Sequence, residues 1–159
     1  MLPLIIVTGP TTSKKSETAI ELAEKINSEI ISADSMQVYK YFDIGTAKVT
    51  PEDRSRVPHH LVDILEPDQE FSAFDFKTRA LDHTRELLNQ GKVPIITGGS
   101  GLYIKALCEG YDCAVQINPQ IKKQVQSDIL TKGLTKMHME LQQVDPDSAK
   151  RIPPLDIQR

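Results

Sequence analysis

The octapeptide Gly9-Pro10-Thr11-Thr12-Ser13-Lys14-Lys15-Ser16 follows the apolar run Leu4-Ile5-Ile6-Val7 and leads straight into a helical pattern. A strand, a glycine-started turn and a helix carrying Lys-Ser at its start make a phosphate-binding loop, because backbone N–H groups and the helix N-terminus converge on one anion. Each residue type has a task. Gly9 lets the chain turn sharply off the strand, Lys15 can place its ammonium between phosphate oxygens, and Ser16 can offer a hydroxyl to phosphate or to a phosphate-bound Mg²⁺. The motif G-x-x-x-x-G-K-[ST] asks for a second glycine where this chain has Lys14. A side chain there obstructs the backbone conformation that glycine allows, at a cost of order 1–3 kcal/mol, so weak diphosphate binding or a non-cradling empty loop is expected.

A loop of this kind needs a parallel sheet behind it, and 159 residues suffice for one well-packed domain and a little more. Hydrophobic residues at 39% and charged residues at 26% suit a globular chain. No apolar run approaches membrane-spanning length, and Met1-Leu2-Pro3 leaves no room for a signal peptide before the first strand, so a cytoplasmic, monomeric protein is expected. The two cysteines, Cys108 and Cys113, read as reduced structural thiols. His59, His60, His83 and His138 fit no metal-ligand spacing and read as surface or capping residues. The net charge of −3 provides no global attraction for nucleic acid. From residue 116 to 159, however, seven Lys or Arg stand against five Asp or Glu, so any nucleic-acid contact is expected there.

Beyond the loop, Ala19, Leu22, Ala23 and Ile26 are spaced as the apolar stripe of a helix over 15–26, ended by Asn27-Ser28. A strand over 29–32 delivers Asp34 to the C-terminal edge of the sheet, where ligands bind in parallel α/β folds. Residues 40–57 read as a long irregular connection, and 59–65 as a third strand. Asp63 at its end is either a metal-shell carboxylate or a turn residue. Ser72 and Asp75 form a capping-box start for a helix to about residue 89, with Phe76, Ala80, Leu87 and Leu88 inward and Gly91 at its C-terminus. A strand over 93–97 runs into Gly98-Gly99-Ser100-Gly101, either a close backbone approach to a ligand or a flexible turn, and then a helical run over 102–107. Helices are expected at 119–131, 134–144 and 146–152. The chain thus reads as an α/β core with a parallel sheet over 1–112, followed by a helical part over 113–159.

The assembled segments resemble the tRNA dimethylallyltransferase (tRNA isopentenyltransferase) family. They are Gly9-Pro10-Thr11 with Ser13 and Lys15-Ser16; Ile30 through Tyr39; Asp43-Ile44-Gly45-Thr46-Ala47-Lys48; Val57-Pro58-His59-His60; Gly98 through Tyr103; and Val144-Asp145-Pro146 through Asp156-Ile157-Gln158-Arg159. They occur in family order over the whole chain, although members of the family run to roughly twice this length. The resemblance implies a P-loop nucleoside triphosphate hydrolase-like core with a partial helical insertion. It also implies transfer of a dimethylallyl group from dimethylallyl diphosphate to N6 of the adenosine 3′ of the anticodon in tRNA, assisted by Mg²⁺.

Carried onto this chain, the resemblance implies that residues 9–16 hold the diphosphate, with Ser16 the metal candidate. It makes Asp34 the general base, Lys15 the stabiliser of the leaving group and Ser100 the hydroxyl that orients the bridging oxygen or the amine. Asp34, Ser35, Met36, Gln37, Ser100, Lys122, Gln158 and Arg159 become the tRNA contacts. The residues by themselves also admit a P-loop small-molecule or nucleoside kinase, and a non-catalytic tRNA- or nucleotide-binding remnant. A relative acting on free adenylate is disfavoured by the basic helical part.

Overall fold

A computed structural model describes residues 3–109 and 118–156. The chain divides into two compact units, Met1–Ala114 and Val115–Arg159.

In the first unit four strands, β1 (Ile5–Thr8), β2 (Ile30–Ser32), β3 (His59–His60) and β4 (Ile95–Gly98), form one sheet in the order β1-β4-β2-β3. All neighbours run parallel, with Ile5 and Ile30 both opposite Ile95, and Ile31 opposite Ile96. Because side chains alternate across a strand, this register sorts the isoleucines onto two faces. Ile30 and Ile95 pack with Ala19, Ile20 and Ala23 of α1 (Lys15–Ile26) and with Val57. Ile31 and Ile96 pack with Phe76, Ala80 and Leu87 of α3 (Ala73–Asn89) and with Tyr103 and Ala106 of α4 (Gly101–Cys108). Both faces are covered, which is why β1, β2 and β4 each begin with consecutive apolar residues instead of alternating with polar ones. β1 stands at one end of the sheet order, with strand partners on one side only among the described residues.

The helix signals are realised as bonded caps. Ser72 and Asp75 form a reciprocal capping box at α3. The other end of α3 closes with Gly91 at φ +75°, its N–H donating to the Leu88 carbonyl while the Lys92 N–H donates to Leu87. Asn27 ends α1 in the same way from φ +50°, with the Ser28 N–H on the Ala23 carbonyl.

Five expectations need correction. Residues 40–57 are not wholly irregular, because Thr50 and Asp53 form a second capping box and Pro51 starts a short helix, α2 (Pro51–Arg56). The third strand is two residues long, since Leu61 (φ +61°) and Asp63 (φ +54°) turn left-handed and break the ladder before Leu65 meets Tyr39 in a single bridge. On α1 Ile20 is buried and Ile26 is exposed, so the buried stripe is shifted towards Ile20 from the expected one. On α3 Thr84 is fully buried where Leu88 is only half-buried. Cys108 is a free thiol, exposed on α4, not a packed one. Cys113 lies outside the described residues.

The connection from β2 to α3 is braced from within. Lys48, with its side chain 3% exposed, donates to the Tyr39 carbonyl at 2.8 Å, to Asp43 at 2.8 Å and to Asp63 at 2.7 Å. Arg54 donates to the other carboxylate oxygen of Asp63. Asp63 is thus a turn residue spent on two cations.

The second unit is helical: α5 (Pro119–Lys132), α6 (Leu134–Val144) and α7 (Pro146–Arg151). Gly133 at φ +79° turns α5 into α6, and Lys132 beside it bonds Asp128 and Glu140. His138 donates through Nε2 to the carbonyls of Ala149 and Ile152, the capping role expected for it. No helix among the described residues is long and apolar enough to cross a membrane.

Candidate functional site

A cleft of about 220 Å³ opens at the C-terminal edge of the sheet in the first unit. One wall is the loop after β1, which contributes Thr11, Lys15 and Ser16. Facing it, the turn after β2 contributes Asp34, Met36 and Gln37. Thr97, Gly98 and Gly99 at the end of β4 form the floor with Ser32, and Gly45, Thr46 and Ala47 close the remaining side. Phosphate-type and carboxylate chemistry therefore meet in one concavity, where a parallel sheet places its ligands.

The floor depends on one glycine. A Cβ on Gly98 would lie 2.1 Å from the Ala33 carbonyl oxygen, so β4 reaches β2 this closely only with glycine there. From that contact the Ser100 N–H donates to the Ala33 carbonyl at 3.1 Å. The Ser100 hydroxyl accepts the Ser35 N–H at 2.9 Å and lies 3.2 Å from the Ser35 hydroxyl. Asp34 Oδ1 accepts the N–H groups of Met36 and Gln37 at 2.9 and 3.3 Å. Among the described residues no donor is bonded to Asp34 Oδ2, which leaves it for a ligand in the cleft. Burial first, and then the negative charges that Tyr39, Asp34 and Asp75 carry in alkali, push the Tyr103 phenol up to about 12.

In the loop after β1, Lys15 is turned towards the cleft. Its ammonium donates to the Pro10 carbonyl at 3.3 Å, and the Ser13 N–H bonds the same oxygen at 3.3 Å. Lys14 sits at φ +59°, ψ +20°, the left-handed conformation that the missing glycine would have supplied freely. Its ammonium pairs with Glu17 at 3.4 Å on the exposed side, away from the cleft. A strain already present in the empty loop cancels from a binding equilibrium. Lys14→Gly is therefore expected to change pyrophosphate affinity by less than about threefold, and to raise unfolding stability by about 0.5–1 kcal/mol once the added freedom of glycine is counted. Calorimetric titration of pyrophosphate and urea unfolding of both proteins check this. A tenfold gain in affinity would show that the loop changes shape on binding.

Two features of this cleft do not show in the sequence: the bracing role of Gln37, expected there only as a tRNA contact, and the place of His59. Gln37 holds the opposite wall, donating through Nε2 to the carbonyls of Ala47 at 3.0 Å and Thr46 at 3.4 Å. His59, expected at the surface or in a cap, lines the cleft instead. Its Nδ1 is 2.7 Å from the Val57 carbonyl, which can only accept, so Nδ1 carries the proton and Nε2 is a bare acceptor. Burial pushes the His59 pKa down and keeps the ring neutral, and Nε2 is buried without a partner among the described residues. The signal for it in the sequence is its place in Val57-Pro58-His59-His60, one of the segments that carry the family resemblance.

Of the remaining candidates, Gly9, Pro10, Thr12, Ser13 and Lys14 shape the loop without lining the cleft, and Ser35 and Ser100 brace the turn that carries Asp34. Lys122 is on α5 of the second unit. Gln158 and Arg159 lie outside the described residues. No group of three or more metal-ligating His, Cys, Asp or Glu occurs among the described residues. The donors at the loop are the Ser16 hydroxyl and, across the cleft, a carboxylate oxygen. Such a sparse oxygen set suits Mg²⁺, which keeps its waters and takes most of its other ligands from substrate phosphates.

Comparison with known proteins follows the same outline. The family model described as IPP transferase matches residues 37–159. A tRNA dimethylallyltransferase of Syntrophobacter fumaroxidans is 48% identical over 158 residues, covering 99% of this chain and 46% of that protein. The crystal structure of a tRNA isopentenylpyrophosphate transferase from Staphylococcus epidermidis superposes with a TM-score of 0.65 at 46% identity, over 98% of this chain and 51% of that one. A eukaryotic dimethylallyltransferase acting on tRNA gives 0.80 at 30% identity, over 98% of this chain and 39% of that one. The chain spans about half the length of the curated relatives it matches. Its parallel-sheet core is of the P-loop nucleoside triphosphate hydrolase-like kind found in tRNA prenyltransferase structures.

Proposed function

Because this chain belongs to the IPP transferase family, we propose that it carries the cleft in which a dimethylallyl group passes from dimethylallyl diphosphate to N6 of the adenosine 3′ of a tRNA anticodon. The observation that carries the reading is the pairing, across one cleft, of Lys15 and Ser16 with the carboxylate of Asp34. An exocyclic amine is a poor nucleophile, because its lone pair is delocalised into the ring. A carboxylate able to take its proton fits that need, and Asp34 Oδ2 would take it.

The bond that forms joins N6 to the terminal carbon of the dimethylallyl group, and the bond that breaks joins that carbon to the bridging oxygen. The electron pair leaves with diphosphate and the proton goes to Asp34. Lys15 stabilises the charge growing on the leaving group, after its ammonium exchanges the Pro10 carbonyl for phosphate oxygens. The loop N–H groups add to this. Mg²⁺, held by Ser16 and the diphosphate, would supply further neutralisation of the leaving group. Ser100 and Ser35 keep the turn of Asp34 rigid, while Met36 and Gln37, beside Asp34 in the cleft, meet the extruded base. Lys122, Gln158 and Arg159 would supply contacts to the tRNA backbone from the helical part. We assign the protein to the cytoplasm as a monomer acting on tRNA.

The test uses the full-length protein with labelled dimethylallyl diphosphate, ATP and an anticodon stem-loop RNA. Label appearing in the RNA with release of pyrophosphate supports the reading. Consumption of ATP in place of the prenyl donor would make it a kinase.

A further inference from the structure

One apolar side chain at the rim of the cleft packs on nothing. Ile44 is 98% exposed, more than any other large hydrophobic side chain among the described residues, and Tyr41 nearby is 74% exposed. Exposure alone would be unremarkable in a floppy loop. This tip is the opposite, because it is fastened on both sides. Before it, the Thr46 hydroxyl donates to the Phe42 carbonyl at 2.6 Å and the Phe42 ring lies 5.7 Å from that of Tyr39. Behind it, Gln37 holds the Ala47 carbonyl and Lys48 ties the segment to Asp43, Tyr39 and Asp63. Gly45, next in the chain, already lines the cleft. A braced segment that presents a branched apolar side chain to solvent beside a binding cleft has been built to meet something.

We propose that Ile44 is a stacking wedge: it enters the gap that opens in the anticodon loop when the acceptor adenosine swings into the cleft, and packs against the base left behind. This rests on the tRNA reading above, which supplies the base that must be extruded. Unstacking a nucleotide leaves a neighbouring base face bare, and an apolar side chain inserted there restores the lost contact. A branched side chain on a fixed backbone inserts with little entropy left to lose, which is the use of the brace. Tyr41, on the same tip, extends the apolar surface towards the next base.

The test is a fluorescence titration of the full-length protein with an anticodon stem-loop RNA that carries 2-aminopurine at the acceptor position. That base lacks the N6 amine, so no transfer takes place, and its emission rises when it leaves the stack. The parent protein should raise the emission on binding. Ile44→Ala should bind the RNA with an affinity within about threefold of the parent but give an emission rise at least about threefold smaller, while Ile44→Leu restores it. Equal emission from the parent and the Ile44→Ala protein overturns the wedge and leaves the transferase reading standing. A variant that loses thermal stability together with RNA affinity makes Ile44 a packing residue and also overturns it. If the parent does not bind the RNA at all, the wedge and the tRNA reading fall together, whatever the transfer assay with other acceptors shows.

Discussion

Replacing Asp34 by asparagine in the full-length protein is expected to lower the rate of prenyl transfer by about 10²- to 10⁴-fold, the usual worth of a positioned general base. Asparagine is nearly isosteric, and its carbonyl oxygen can still accept the Met36 and Gln37 N–H groups that hold Oδ1 in place. The turn, the Ser35–Ser100 brace and the floor of the cleft should therefore persist. What disappears is the oxygen that takes the proton, which is replaced by an N–H donor facing another donor. Binding of the stem-loop and of pyrophosphate should remain within about threefold of the parent, so the loss falls on kcat and not on KM. Transfer at a rate within a few-fold of the parent would remove Asp34 from the chemistry.

The second large effect concerns stability. Lys48→Met in the full-length protein is expected to cost about 3 kcal/mol, the low end for removing one partner from a buried ion pair, since Arg54 continues to neutralise Asp63. Burial works against the Lys48 charge, but its hydrogen bonds to Asp43 and Asp63 outweigh burial and hold its pKa above the ordinary lysine value. For Asp63, burial works against the carboxylate, and the bonds from Lys48 and Arg54 outweigh it and hold the pKa below the usual range. The Asp63 contribution is therefore fully present above the unfolded pKa of about 4 and is lost as pH falls through the lower folded value. Lys48 contributes fully below its unfolded pKa of about 10.4, and its contribution is lost as pH rises through the higher folded value. The difference between parent and variant should be level across neutral pH and shrink in acid below about pH 4. Urea unfolding at a series of pH values measures it. A difference at pH 7 under about 1 kcal/mol would mean that solvent reaches the cluster and screens it.

These two residues mark where sequence reading worked and where it stopped. Asp34 was legible because its surroundings are local: an apolar run sets the strand, and parallel-sheet geometry puts the next polar residue at the ligand edge. The caps at Ser72 and Asn27 were legible for the same reason, since each is satisfied within a few residues. Lys48 was not. Its partners Tyr39, Asp43 and Asp63 stand on both sides of it in a polar stretch with no period, and only the folded chain brings them to one ammonium. His59 was hidden by similar means, because what makes it a cleft residue is the β2–β3 register and the Val57 carbonyl, neither of which leaves a mark in composition. The shortness of β3 followed from left-handed backbone at Leu61 and Asp63, residues whose types do not announce it. The site as an assembly, phosphate loop against carboxylate, was foreseeable. The wall that closes it came from long-range bonds.

The position of β1 at the end of the sheet has a bearing on how this polypeptide behaves in solution. Its outer side carries a row of main-chain amides and carbonyls with no strand beside it among the described residues, and the strand is only half-buried. Such an edge is a template onto which another extended segment can dock. A preparation of these 159 residues alone is therefore prone to self-association by strand addition. The tendency should grow with protein concentration and respond to a charge or a proline placed along Ile5–Thr8, while substitutions in the cleft leave it unchanged.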